Sequence, residues 1–291
     1  MGFTLSCPVM PSRAISLKHP CETLTDFLFE VNKVRSRWRS GKEKSKGDSR
    51  PLWFRGQRSA EWDLRPRLYR DEYRGAAESE IRLEFEGSGL QLVTTNPNRS
   101  KWEWYFLMEH YRAPTRLLNW SGNPLVALYF AVSDESSNRR KGDASVWMFD
   151  PWRWNSLHFD SLSGPGLPGW EETEAYLPDL EQACDGEKVA RRWPIAIEPP
   201  SIDRRLANQT ARFLLFGKRR DLIKAADRTD LAAKKGSRLK CILISAGKLE
   251  RLQYELDDVG INRRTLFPDL DGLGEHLSWE WKRFVRRTRL Y

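Results

Sequence analysis

Two kinds of apolar run alternate along this chain in no regular order, and that irregularity limits the folds open to it. One kind has helical spacing. Leu24, Phe27, Leu28, Val31 and Trp38 share a helical face, with a Thr23/Asp26 capping pattern ahead of them. Residues 76–86 and 101–110 read as helices. Asn123-Pro124 opens another, with Pro at the first helical position and Leu125, Leu128 and Tyr129 inward. Ser201 caps a short helix, and 219–235 form a longer one. Residues 247–258 form an amphipathic helix through Leu249, Leu252 and Leu256, and a last helix begins near Asp271. The other kind is short. Leu52-Trp53-Phe54 reads as a strand that ends in a turn at Gly56, and Ser145–Phe149, Arg212–Phe216 and Leu239–Ser245 read as further strands. No repeat and no βαβ rhythm emerges. The expectation is an α+β fold with a single mixed, mainly antiparallel sheet flanked by helices. Residues 1–48 form a helical segment and a charged loop, and 49–291 form the main domain. Within it, 151–200 are rich in Trp, Pro and Gly, lose periodicity and read as a partly irregular excursion.

Charge narrows the partners. Lys and Arg number 49 against 40 Asp and Glu, a net +9, which favours anionic partners, nucleic acid first. Paired arginines such as Arg204-Arg205 and Arg219-Arg220 suit a phosphate backbone or a solvated, salt-bridged surface equally well. The segment Trp281 to Arg289 mixes cations with aromatics, which fits stacked bases or a helix C-terminus. A charged fraction of 31% would suit a disordered chain, but 13 Trp, 13 Phe and 8 Tyr require a core. No apolar run is long enough to span a membrane, and the start lacks the pattern of a secretory signal. Four scattered Cys form no zinc spacing and read as free thiols in a reducing, cytoplasmic setting. Four His make a His-built metal centre improbable.

Four segments can carry chemistry. In Trp53-Phe54-Arg55-Gly56-Gln57, a guanidinium at a strand end can grip two phosphate oxygens or be pinned under a turn. Glu109-His110-Tyr111-Arg112-Ala113-Pro114-Thr115-Arg116 with Asn119-Trp120 packs polar groups between two apolar helices. They form either a buried network or a pocket with His110 as donor or base. Gln209 beside a strand start reads an amide or base edge, or caps backbone. Asp269 and Asp271 bracket Leu270 and cap a helix or supply an acid. No P-loop, HExxH or GxSxG pattern occurs.

Together these segments resemble the FRG domain family. Phe54-Arg55-Gly56 matches its name-giving motif. His110-Tyr111, Pro114 to Leu118, Trp120 and Asn123 to Ala131 match its longest block. Gln209 with Phe213, then Gly260-Ile261 and Leu266 to Gly272, match its later blocks, so the resemblance runs from about residue 50 to 280. Glu109 stands for the family's Gln, Arg112 for Gly and Asn119 for Asp, and Asn119 cannot supply that Asp's charge.

Members resemble toxin or phage-defence components. Arg55-Gly56 also resembles, more briefly, the first motif of ADP-ribosyltransferases, which implies a related fold and NAD as substrate. On that resemblance Arg55 clamps the diphosphate and His110 holds the ribose or activates the acceptor. Thr115, Arg116 and Gln209 complete the catalytic set. Gln57, Tyr111, Asn119 and Trp120 join Arg55 in holding NAD, and Glu109, Asp269 or Asp271 supplies the acid. The acceptor is a nucleic acid, RNA favoured, or a protein, and a neutralising antitoxin partner is implied. No metal and no membrane are expected. A metal-independent ribonuclease and a non-catalytic binding module are the competing readings.

Overall fold

The computed structural model describes residues 19–39, 50–92, 100–133, 142–159, 167–169, 193–198, 204–232, 236 and 238–288. The helices are α1 (Leu24–Arg39), α2 (Glu78–Gly89), α3 (Lys101–His110), α4 (Pro124–Val132), α5 (Pro151–His158), α6 (Arg204–Asn208), α7 (Leu222–Ala232), α8 (Leu249–Asp258), α9 (Arg263–Leu266) and α10 (Leu270–Thr288). The strands are β1 (Trp53–Gln57), β2 (Leu117–Ser121), β3 (Ala144–Phe149), β4 (Ile195–Ile197), β5 (Ala211–Leu215) and β6 (Leu239–Ile244). They form one sheet in the order β4-β5-β2-β1-β3-β6, and each neighbouring pair is antiparallel. The fold is therefore α+β with a single antiparallel sheet flanked by helices.

Residues paired across an antiparallel ladder share a face, which sorts the core. Phe54, Val146, Met148, Ile242 and Ile244 turn to one side, where α1, α4 and α8 cover them. Farther along that side Leu117, Phe213, Leu215 and Ile195 pack under Trp102, Tyr105 and Phe106 of α3. The opposite face carries Trp53, Trp120, Trp147 and Phe149, covered by Trp154 of α5 and by Leu222, Ala225 and Ala226 of α7. These large rings fill the core of a chain that would otherwise be too charged to bury much surface.

Local signals explain the helix starts. Thr23 and Asp26 exchange backbone-to-side-chain bonds of 3.1 Å each at the head of α1. The Asn123 side chain accepts from the Leu125 amide at 2.9 Å, and Pro124 takes the first position of α4. Asp269 accepts from the Gly272 amide at 2.7 Å and caps α10, which starts at Leu270.

Several expected boundaries move. β1 does not stop at Gly56; it continues to Gln57 because the whole strand pairs with β3. Residues 117–121, to which the sequence pattern assigns no element, form the inner strand β2, which is covered on both faces and so lacks alternation. The excursion 151–200 opens with α5 and contains β4, an edge strand of only three residues. α7 begins at Leu222 rather than at 219, and residues 233–235 lie outside the described residues. Ser201, most of the 39–50 loop and residues 170–192 lie outside the described residues.

Candidate active site

The sheet forks between β1 and β2. β1 pairs with β3 along its full length, but with β2 only at Phe54↔Ser121. Beyond that pair the strands diverge, and their ladder groups need other partners. Arg55 supplies one: its Nη1 donates to the Asn119 carbonyl at 2.6 Å, across the gap where a strand amide would lie. A cavity of about 930 Å³ opens at this fork. That is near the top of the range for small-molecule sites, roughly 300–1,000 Å³.

Arg55, Gln57, His110, Asn119, Trp120 and Gln209 all line this one cavity. Arg55 comes from β1, His110 from the last turn of α3, Asn119 from β2, and Gln209 from the turn after α6. The side-chain amides of Gln57 and Gln209 are spent on the protein itself. Gln57 donates to the Asp63 carbonyl at 3.0 Å and accepts from the Trp147 indole at 2.8 Å. Gln209 donates to the Leu266 carbonyl at 3.2 Å. In contrast, the buried Nε of Arg55 and the buried Nε1 of Trp120 have no hydrogen-bond partner among the described residues. Buried donors without acceptors are costly in a finished structure, and a ligand acceptor would relieve them.

Three of the expected pocket residues lie elsewhere. Arg116 is fully buried and absent from the cavity lining, its Nε 2.5 Å from Glu78 Oε2. It cannot reach a ligand without breaking that pair. Thr115 is also fully buried, where its hydroxyl donates to Glu109 Oε2 and accepts from the Leu117 amide. It therefore touches the cavity only through Glu109. Tyr111 is exposed and lies outside the lining; its ring stands edge-on to His110.

Of the three candidate acids, only Glu109 lines the cavity. Asp269 pairs with Arg205 and caps α10, and that amide bond and ion pair hold its carboxyl below the usual range. Asp271 is exposed on α10. Burial pushes the Glu109 carboxyl up to about 7, against the pull of the Thr115 hydroxyl and of Arg55, Arg67 and Arg70. The same crowding brings the Arg55 guanidinium down to about 10, through burial first and then Arg70, with Glu109 opposing. A carboxyl poised near neutrality in a cleft can take or give a proton.

Poising has a stability cost with a definite sign. Between about pH 4.5 and 7 the unfolded carboxyl ionises while the folded one stays protonated, so stability falls as pH rises through that window. Glu109→Gln mimics the protonated form. It should therefore be more stable than the parent above pH 7, by about 3 kcal/mol, and equal to it at pH 4. Urea midpoints across that range check this; equal midpoints at pH 8 would contradict it.

Arg67 and Arg70 also line the cavity and were not singled out from sequence. They sit on and beside a short 3-10 turn, Arg67–Tyr69, that carries no recognisable motif. Their density was a usable signal: Arg55, Arg58, Arg65, Arg67, Arg70 and Arg74 fall within twenty residues. Phe130, Phe213 and Phe267 also line the cavity, and Trp62 stands half-exposed in the lining. Among the described residues no group of three or more His, Cys, Asp or Glu could hold a metal ion, and no helix is long and apolar enough to cross a membrane. Cys21 and Cys241 are free and buried, and burial pushes both thiols up to about 12, which makes them poor nucleophiles.

These features define an α+β protein whose arginine-lined cavity sits in a forked sheet. Residues 50–140 match the family model of the FRG domain. That match spans β1 through α4, the segment that supplies Arg55, Glu109, His110 and Asn119. No curated protein and no solved structure matches the chain. Nothing in these comparisons supports the ADP-ribosyltransferase resemblance, which rests on Arg55-Gly56.

Proposed function

We propose that the chain is an enzyme that consumes NAD and transfers ADP-ribose to a nucleic acid, RNA favoured, or to a protein, as a toxin or defence effector. The observation that supports this most is the meeting of Arg55, Arg67 and Arg70 with Glu109 and His110 in one cavity. Three guanidiniums suit a diphosphate, and aromatic walls suit the rings at either end of a dinucleotide. The bond between the ribose and nicotinamide breaks, and nicotinamide leaves with the bonding electrons. The acceptor then attacks the cationic sugar and loses its proton. Glu109 takes that proton, and His110 orients the ribose or the acceptor. As a base Glu109 works ionised, so the rate rises with pH through about 7.

The chain incubated with adenylate-labelled NAD and RNA or cell extract is expected to release nicotinamide and transfer label. Arg55→Ala should slow both about 100-fold, the usual loss for one charge-stabilising donor. Expression should arrest growth, and Arg55→Ala or His110→Ala should relieve it. Neither label transfer nor nicotinamide release would refute the reading. A second reading has one specific observation in its favour. Glu109 and His110 are consecutive and line the same cavity, as the base and acid of a metal-independent ribonuclease would. RNA shortened in the absence of NAD would select it.

A further inference from the structure

Helix α3 ends on a left-handed residue that is not glycine. After His110 and Tyr111 the chain turns at Arg112, whose φ is 66°. The Arg112 amide donates to the Glu109 carbonyl at 3.1 Å, and the Ala113 amide donates to the Met108 carbonyl at 2.8 Å. These two bonds are the Schellman closure of a helix, and its left-handed position is ordinarily glycine because a Cβ is strained there. Arginine therefore costs stability at this position. The helix dipole does not account for it. A cation at a C-terminus gains from the dipole, but Tyr111, one residue earlier, has a φ of −88° and could carry that charge without strain. Arg67 does not account for it either. Its Nη1 donates to the Arg112 carbonyl at 2.9 Å, a bond that glycine would accept as well.

What arginine adds is an exposed side chain in the lining of the cavity. Strain that persists beside a cleft is a mark of function. Trp62 shares that lining and is 50% exposed, with the Arg58 guanidinium 6.0 Å from its ring. An indole half in water is a platform for another flat ring, and every base presents one. Charge then separates the acceptors. The described lining residues include seven arginines and five acidic side chains. Asp63 and Arg65 pair at 2.8 Å, and Glu109 is only half ionised near pH 7, so the excess stays positive. A phosphate is attracted to such a lining, and a basic peptide is repelled.

We propose that Arg112 and Trp62 form the acceptor end of the cavity and hold a single-stranded nucleic acid there, Arg112 on a phosphate and Trp62 beneath a base. This rests on reading the cavity as the active site, and it deepens that reading by choosing nucleic acid over protein as the acceptor. The two can fail separately, because strand binding is measured without NAD.

Fluorescence anisotropy of the full chain reads the result, with a labelled single strand of about ten nucleotides, once as RNA and once as DNA. Expected is binding to one or both that weakens as salt rises, and weaker binding of an RNA duplex, whose bases cannot reach Trp62. Arg112→Gly should weaken the single strand about tenfold and make the salt slope shallower by about 0.7, the value of one phosphate contact. It should also raise the urea midpoint, because the strain is gone. Arg112→Lys should keep the slope. Trp62→Ala should weaken the single strand about tenfold with the slope unchanged. Strand binding that follows this pattern in a chain that never releases nicotinamide would refute the enzyme and leave this site standing. A chain that holds no single strand would overturn the proposal, including one that modifies protein. A duplex held as tightly, or an Arg112→Gly variant that binds like the parent, would overturn it too. So would a lower urea midpoint for Arg112→Gly, which would make the arginine part of the fold. Strands displaced by added NAD would put both sets of phosphates on the same cations and overturn it as well.

Discussion

Gly56→Ala should leave little or no folded protein. An added Cβ at this position would lie 1.9 Å from the Ala127 carbonyl oxygen and 2.6 Å from the Ala131 nitrogen. Both are backbone atoms of α4, and α4 lies directly across β1. Overfilling a core of movable side chains costs typically 1–3 kcal/mol. Here no rotamer change relieves the clash, so the whole helix must retreat from the sheet. That would also loosen Phe54, Ala127, Leu128 and Ala131 in the largest core cluster. We expect a loss above about 4 kcal/mol, a large part of the roughly 5–15 kcal/mol that stabilises an ordinary protein. Urea unfolding, or the soluble yield where unfolding cannot be measured, checks this. Gly274→Ala is the control. It sits in an exposed stretch of helix with nothing near, and it should stabilise by up to about 1 kcal/mol. If Gly56→Ala behaves like Gly274→Ala, the glycine of the Phe-Arg-Gly motif is not there for helix packing.

That motif shows what the sequence made legible and what it hid. Locally the glycine reads as a turn former, since a turn is the commonest local reason for glycine. Its actual reason is a contact with residues more than seventy positions away, which no local pattern encodes. The helices that bury one face against the sheet, α1, α4 and α8, were readable because burial on one side leaves a period. β2 was not, because Leu117-Leu118-Asn119-Trp120-Ser121 is buried on both faces apart from Asn119 and shows no alternation. β4 was hidden because three residues are too few to carry a period. At the site, residues adjacent to recognisable blocks were found, and the cavity gathers Arg55, His110, Asn119, Trp120 and Gln209. Arg67 and Arg70 belong to no block, and only the fold brings them to the fork. Glu109 was visible as a carboxylate, but its poise near neutrality comes from burial that sequence does not report.

Arg116 was drawn into the catalytic set by its place in the Pro-Thr-Arg-Leu-Leu block, and its surroundings predict a different role. Its Nε meets Glu78 at 2.5 Å, and neither side chain is exposed. Glu78 also accepts from the Tyr105 hydroxyl and, at 3.2 Å, from the Arg116 amide, while the Tyr105 oxygen accepts from that amide at 2.9 Å. This network ties α2, α3 and the entry to β2 together. The adjacent carboxylate holds the Arg116 guanidinium well above its ordinary range although burial opposes it, so its charge is permanent. Removing one partner strands that charge in the core. Glu78→Ala should therefore cost about 3–5 kcal/mol, and Arg116→Ala a similar amount. Replacing both by apolar groups removes the stranded charge, and such exchanges are often neutral. Tyr105 then still accepts from the backbone amide at position 116. Glu78→Met with Arg116→Met should thus recover most of the stability that either single change loses, as a double-mutant cycle in urea would show. The same variant separates structure from chemistry. If Arg116 only holds the site wall, nicotinamide release should recover along with stability. If Arg116 takes part in the reaction, the refolded double variant should remain as slow as Arg55→Ala.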